Sequence, residues 1–230
     1  VTSNYVRIGG VQREITPGFL PRLAASLARI EELLTDFDKV VTSNRIFVDR
    51  FRNTGMLPLE KLISYGVTGP LLRAAGVPLD LRKAEPYLVY DQIDLAVPIG
   101  TTGDNYDRFL VCQEELAESI RIIRQCVPVL EKTVGEPMNV ADPRVRWPAK
   151  ERVFGRMEEL IQQFKGVTEG IRVPAGEAYA AVESPNGELG FYVVSDGTGK
   201  PHKVRCRPPS FLNMSAMREM VVGGMLADIV

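Results

Sequence analysis

The sequence holds a single histidine, His202, in 230 residues. That scarcity excludes HExxH zinc sites and Glu-x-x-His di-iron sites, each of which needs more than one. His202 and Cys206 share a strand face four residues apart, but no further ligands accompany them, so the pairing is ascribed to chance. A serine triad would have to use His202, and no serine sits in a GxSxG elbow. Gly197-Thr198-Gly199-Lys200 ends like a phosphate loop, yet Val194 stands where the first glycine is required and Pro201 follows the lysine. No GxGxxG lies between a strand and a helix, which leaves NAD binding unsupported. No catalytic, metal or cofactor-binding residue is therefore assigned within the chain.

Cysteine is nearly as scarce. Cys112, Cys126 and Cys206 are odd in number and widely spaced, which argues for free thiols in a reducing compartment and against a disulfide framework. Net charge is almost absent: 28 Lys and Arg stand against 29 Asp and Glu, a balance of −1. Nothing in it calls for nucleic acid or a strongly basic membrane surface. Glu31-Glu32, Glu114-Glu115 and Glu158-Glu159 read as solvated helix faces. No apolar run approaches the ~18 residues of a membrane span, so no direct span is expected. No signal or transit segment is recognised. The first residue is not Met, and Gly224–Val230 stops inside an apolar pattern, so a piece of a longer subunit is expected.

What is present centres on Glu177–Phe211. Three strand-like runs, Glu177–Glu183, Leu189–Ser195 and His202–Arg207, are separated by Ser184-Pro185-Asn186-Gly187 and Asp196–Pro201. Proline presets φ and glycine or asparagine accepts positive φ, so both clusters reverse the chain and predict an antiparallel meander. So small a sheet needs helices to pack against.

Leu20, Leu23, Leu27, Ile30, Leu34, Phe37 and Val41 recur at helical spacing after Thr16-Pro17, predicting an amphipathic helix to about Val41. Asn44–Asp49 and Leu59–Tyr65 predict short helical pieces. Gly66–Gly100 is irregular, with one brief strand expected at Leu88–Leu95. Asp104 is expected to cap the longest helix and Pro128 to end it. Glu151–Thr168 predicts a further amphipathic helix, and Asn213–Val222 the start of another. The expected fold is mainly α (α+β): a helical bundle with a three-stranded meander, organised as one domain over 1–230. Within it, 1–174 is mainly helical, 175–211 the meander and 212–230 a truncated helix.

Charged residues occupy a few notable places. Glu183 and Glu188 flank the first turn of the meander, and Arg205 and Arg207 share a face of its third strand. Arg82, Lys83 and Glu85 cluster beside Tyr87, Tyr90 and Asp91, while Asp104 and Asp107 accompany Arg108. Structural ion pairs and helix caps are the ordinary reading of such groups, with a functional role as the alternative. Composition and spacing alone leave a helical domain of unknown activity.

Longer stretches are more specific. Ile63–Arg73 (ISYGVTGPLLR), Asp80–Tyr87 (DLRKAEPY), Gly103–Arg108 (GDNYDR), Val167–Gly170 and Glu183–Tyr192 (ESPNGELGFY) closely resemble the D (49 kDa) subunit of NADH-quinone oxidoreductase, respiratory complex I. The resemblance runs collinearly from about Tyr5 to Val230. It implies a fold related to the large subunit of nickel-iron hydrogenases. It also implies a place in the quinone-reducing module, where a quinone pocket is shared with the iron–sulfur B subunit, near the C subunit and the membrane-arm subunits. Electrons from NADH would arrive through FMN and iron–sulfur clusters of partner subunits, and quinone reduction would be coupled to proton translocation. The implied location is peripheral, on the cytoplasmic side of a bacterial membrane or the matrix side of a mitochondrial one.

By the same resemblance, the histidine, tyrosine and aspartate that serve the quinone headgroup precede Val1, and a tail near the last cluster follows Val230; His202 is not that histidine. Arg7 of VRIGG matches the arginine of the family's RPGG segment, with Ile8 replacing proline. Glu183, Glu188, Arg205 and Arg207 match charged positions and are candidates, with Arg7, for a polar network beside the pocket. A membrane-bound hydrogenase large subunit and a scaffold without activity of its own are the alternatives.

Overall fold

A computed structural model describes residues 5–226. Helix makes up about 49% of it, beside a three-stranded antiparallel sheet, so the fold is α+β as expected. The chain divides into two compact units. One takes residues 5–19, 129–179 and 192–205; the other takes 20–128, 180–191 and 206–226.

The second unit is mostly helical. Helix α1 (Phe19–Phe37) continues into a π turn at Asp38–Thr42, matching the expected end near Val41. Asn44 then caps α2 (Arg45–Phe51), its side chain accepting from the Ile46 amide. Helices α3 (Leu59–Ser64) and α4 (Pro70–Ala74) bracket Gly66–Gly69, and Asp80 caps the short α5 (Leu81–Ala84). No strand forms at Leu88–Leu95. Leu88 adopts a positive φ of 55°, which breaks an extended run, and a 3-10 turn takes Tyr90–Gln92.

Helix α6 runs from Asn105 to Thr133, with Asp104 Oδ1 accepting from the Asp107 amide at its start. Pro128 does not end it. Proline's fixed φ is compatible with a helix, so the loss of one N–H is tolerated inside so long an element despite its cost of roughly 3 kcal/mol. Leu62, Val67, Leu72 and Ala216 form a buried core, walled by Leu57, Tyr65, Val77, Leu79 and Met220. Each fully buried aliphatic side chain contributes about 1.5–3 kcal/mol. A second apolar group stacks Phe47 on Phe51 at 4.1 Å between centroids, with Phe109 edge-on to Phe47 at 4.8 Å.

In the first unit, Val6–Arg7 (β1) and Gly10–Val11 (β2) form a tight hairpin. Within residues 132–148, Asn139 bridges to Gly10 and the Val11 amide donates to Met138 O at 3.1 Å. The helix expected at Glu151–Thr168 is two, α7 (Lys150–Gly155) and α8 (Met157–Thr168), because Arg156 is extended (φ −138°, ψ 129°). Helix α8 is inverted. Its polar residues Gln162 and Gln163 are half-buried, Gln162 donating to Pro143 O and Arg146 O, while Met157, Leu160, Ile161, Phe164 and Val167 are exposed.

The meander follows the expected order, β3 (Gly176–Ser184), β4 (Gly187–Ser195) and β5 (Lys203–Arg207). Pro185 and Asn186 make its first turn, and residues of the sheet belong to both units. Helices α9 (Pro209–Ser215) and α10 (Met217–Val221) follow, where one helix from Asn213 to Val222 is expected. The end of the truncated helix expected over 212–230, residues 227–230, lies outside the described residues.

Candidate functional site

The meander's first turn is seated on the Gly66–Pro70 segment by close backbone approach. Gly187 has a φ of +119°, and a Cβ there would lie 2.5 Å from Thr68 Oγ1. Gly69 is its counterpart: φ is +75°, and a Cβ would lie 2.6 Å from the Asn186 carbonyl. Only glycine fits either position. The Glu188 amide donates to Thr68 Oγ1 at 3.1 Å, and Asn213 Nδ2 donates to Asn186 O at 3.0 Å. Arg207 completes the seat by donating to Glu188 O at 2.7 Å and to Gly66 O at 2.8 Å. Its guanidinium lies 3.5 Å from the Glu188 carboxylate, so two of the five candidate residues are brought together.

Glu183 goes elsewhere, into a buried ionic cluster around Arg73. Arg73, on α4, is 1% exposed. Its Nε donates to Glu115 Oε1 at 2.6 Å, and its Nη1 to Glu183 Oε1 and Leu79 O, both at 2.9 Å. Glu183 Oε2 also accepts from the Leu81 amide at 3.2 Å. Asp80 lies 3.8 Å from Arg73 and is held by Arg82, which donates through Nε at 3.0 Å and Nη2 at 2.7 Å. Tyr87 and Tyr90 stand edge to face at 5.0 Å, and the Tyr87 hydroxyl accepts from the Glu183 amide at 3.2 Å.

Environment sets the charges in this cluster. Burial works against ionised Asp80, but the Arg82 bonds outweigh it and hold the carboxyl below its ordinary value. Glu115 goes the other way: burial pushes it up further than Arg73 pulls it down. Burial likewise raises the Tyr87 hydroxyl.

Arg7 and Arg205 fall in the first unit. Arg7, on β1, lines a groove of about 690 Å³ in the first unit with Arg146, Trp147, Arg152 and Gln162. Arg205 is exposed on β5 and makes no ion pair among the described residues. Sequence reasoning missed Arg73, Asp80 and Glu115 as site residues and took Glu115 for a solvated helix face. Arg73 inside the apolar run Pro70-Leu71-Leu72-Arg73-Ala74-Ala75 was the available signal, since a charge buried there demands partners. Among the described residues, no group of three or more His, Cys, Asp or Glu could hold a metal ion.

The second unit also carries an open, mostly apolar groove of about 890 Å³, lined by Met56, Leu71, Phe109, Met214, Met217 and Met220, with Arg108 in its wall. Arg108 Nη2 donates to Gly55 O at 2.6 Å and Gly103 O at 3.0 Å, and burial pushes its guanidinium down from its ordinary value.

These observations define a class, an α+β protein whose buried polar framework ties one β-turn to a helical core. Comparison with known proteins gives the family. The family model for the 49 Kd subunit of respiratory-chain NADH dehydrogenase matches residues 1–230, and the chain belongs to that family. It is 50% identical to the D 2 subunit of NADH-quinone oxidoreductase from Anaeromyxobacter sp. (strain Fw109-5), covering 100% of this chain and 53% of that protein. It is 46% identical to the D 1 subunit from Sorangium cellulosum and to the D subunit from Myxococcus xanthus, covering all of this chain and 56% and 55% of those proteins. The chain thus spans about half the length of the curated relatives it matches. No helix among the described residues is long and apolar enough to cross a membrane.

Proposed function

We propose that the chain is the part of a quinone-reducing NADH dehydrogenase subunit that frames the quinone pocket beside an iron–sulfur subunit. The carrying observation is the family match over residues 1–230, with relatives named as D subunits of NADH-quinone oxidoreductase. In this reading the electrons come from NADH through FMN and iron–sulfur clusters held by partner subunits. The B and C subunits and the membrane arm are its neighbours, and the complex couples quinone reduction to proton translocation from the cytoplasmic or matrix face. The hydrogenase-like bundle belongs to the same reading. As a hydrogenase large subunit the chain has no support from its family.

Within the chain, the Arg73–Glu183 pair and the Arg207–Glu188 seat supply rigidity and fixed charge on either side of one β-turn. The apolar groove suits a quinone's ring or tail, and Arg7 and Arg205 lie on surfaces open to partners. The test is neutralisation of Arg7, Glu183, Glu188, Arg205 and Arg207, one at a time, in the full-length subunit of an assembled complex. Quinone reductase rate and proton pumping are expected to fall while NADH oxidation by an artificial acceptor persists. Unchanged quinone reduction and pumping in all five would sink the assignment.

A further inference from the structure

The buried cluster is unbalanced. Two guanidinium groups, Arg73 and Arg82, face three carboxylates, Asp80, Glu115 and Glu183, which leaves one negative charge in excess when all are ionised. Asp80 is matched by Arg82, so Glu115 and Glu183 divide Arg73 between them. One guanidinium cannot fully compensate two carboxylates away from water, and such a pair favours a proton on one of them.

Geometry distinguishes the two. Both oxygens of Glu183 accept hydrogen bonds, from Arg73 and from the Leu81 amide, and its side chain is 6% exposed. Only Oε1 of Glu115 is bonded among the described residues, and its side chain is 16% exposed. Glu115 therefore has both an open oxygen and a route to solvent. The groups around it are Arg73 from α4, Asp80 and Arg82 at the start of α5, Glu183 from β3, and Cys112 on its own helix.

We propose that Glu115 is the proton-exchanging group of this cluster and that its protonation is linked to the Arg73–Glu183 pair. A proton from solvent binds Glu115 Oε2, an O–H bond forms, and the side chain goes from −1 to neutral. Arg73 Nε keeps a weaker bond to Oε1, and the Arg73 charge is then matched by Glu183 alone. Conversely, whatever weakens Glu183's grip on Arg73 strengthens that of ionised Glu115 and releases the proton. The upward push of burial on Glu115, against the downward pull on Asp80, agrees with this division. The linkage concerns the cluster itself and stands whether or not the complex reduces quinone.

The test is infrared difference spectroscopy of the assembled complex containing the full-length subunit, recorded between mildly acidic and neutral pH. A protonated-carboxyl band is expected to disappear in Glu115→Gln and to remain in Glu114→Gln, the exposed neighbour. In Glu183→Gln, Arg73 is left to Glu115, and the band's midpoint is expected to fall to lower pH, with proton affinity about tenfold weaker. A wild-type band that survives Glu115→Gln, or a midpoint unmoved by Glu183→Gln, overturns the proposal. Should Glu183→Gln fail to assemble, the Glu115→Gln spectrum decides alone.

Discussion

Gly187 sits against Thr68 so closely that the smallest side chain would collide with both its hydroxyl, at 2.5 Å, and its carbonyl carbon, at 2.7 Å. The contact joins the meander's first turn to the segment before α4. Gly187→Ala combines a steric clash with a φ of +119°, and is expected to cost about 3 kcal/mol or more. Gly197→Ala is the control. It too has a positive φ, +92°, but meets nothing within 4 Å, so a loss of about 1 kcal/mol is expected. Thermal unfolding followed by circular dichroism separates the two; equal losses would mean that the seat carries no weight.

Arg73 is buried and paired, so the fold tolerates its loss poorly. Arg73→Met removes the one cation between Glu115 and Glu183 and is expected to destabilise by about 3–5 kcal/mol. Adding Glu115→Gln and Glu183→Gln to it removes the stranded charges and should recover most of that loss. Urea unfolding of the single and triple variants measures the difference. A triple variant as unstable as the single would show that packing around Arg73, not charge, is what matters.

Local signals were legible where one stretch of chain suffices. Asn44 and Asp104 cap as their side-chain chemistry dictates, and Pro185-Asn186-Gly187 turns because its residues accept the required φ values. Pro128 and the Glu151–Thr168 helix failed as local readings because tertiary context overrides propensity over long elements. The Arg73 cluster was illegible for a different reason. Its partners lie 42 and 110 residues away, on a helix and a strand, and no spacing rule connects them. Glu115 looked like half of a solvated Glu-Glu pair until the fold turned one of the two inward.

The inverted face of α8 leads to an expectation about solubility. Phe164 is 66% exposed and Val167 67%, in line with Met157, Leu160 and Ile161. An apolar stripe of that kind favours association of the isolated chain. Phe164→Ser is expected to leave unfolding within about 0.5 kcal/mol while lowering dye binding and concentration-dependent association in sedimentation. A substitution that instead unfolds α8 would mean that the stripe is packed.

Stability should depend on pH through two opposed carboxyls. Asp80 is held below its ordinary 3.8, so its contribution is present above that pH and is lost as pH falls through the folded value. Glu115 is raised above its ordinary 4.5, so the folded chain binds that proton more tightly than the unfolded chain does. Stability therefore declines as pH rises from 4.5 through the folded value of Glu115. Urea midpoints against pH should show both limbs, and Glu115→Gln should flatten the upper one while leaving the acid limb in place. An upper limb that persists in Glu115→Gln would assign it to another group.

Cys112 offers a chemical probe of the same carboxylate. The residue is exposed, yet its thiol is pushed up by burial of the sulfur and by the Glu115 charge one turn away, with Arg73 opposing. The thiolate is the reactive form, so alkylation near neutral pH is expected to be slow for an exposed cysteine. Glu115→Gln removes a negative neighbour, raises the thiolate fraction and should speed alkylation several-fold, whereas Glu114→Gln should change it little. Mass-resolved labelling of Cys112 against time, across neutral and mildly alkaline pH, gives both rates. In the wild-type chain the rate should also rise less steeply where Glu115 ionises, because each Glu115 that loses its proton makes the neighbouring thiol harder to ionise. A Cys112 rate indifferent to Glu115→Gln would mean that the carboxylate is already neutral over this range, or turned away from the sulfur.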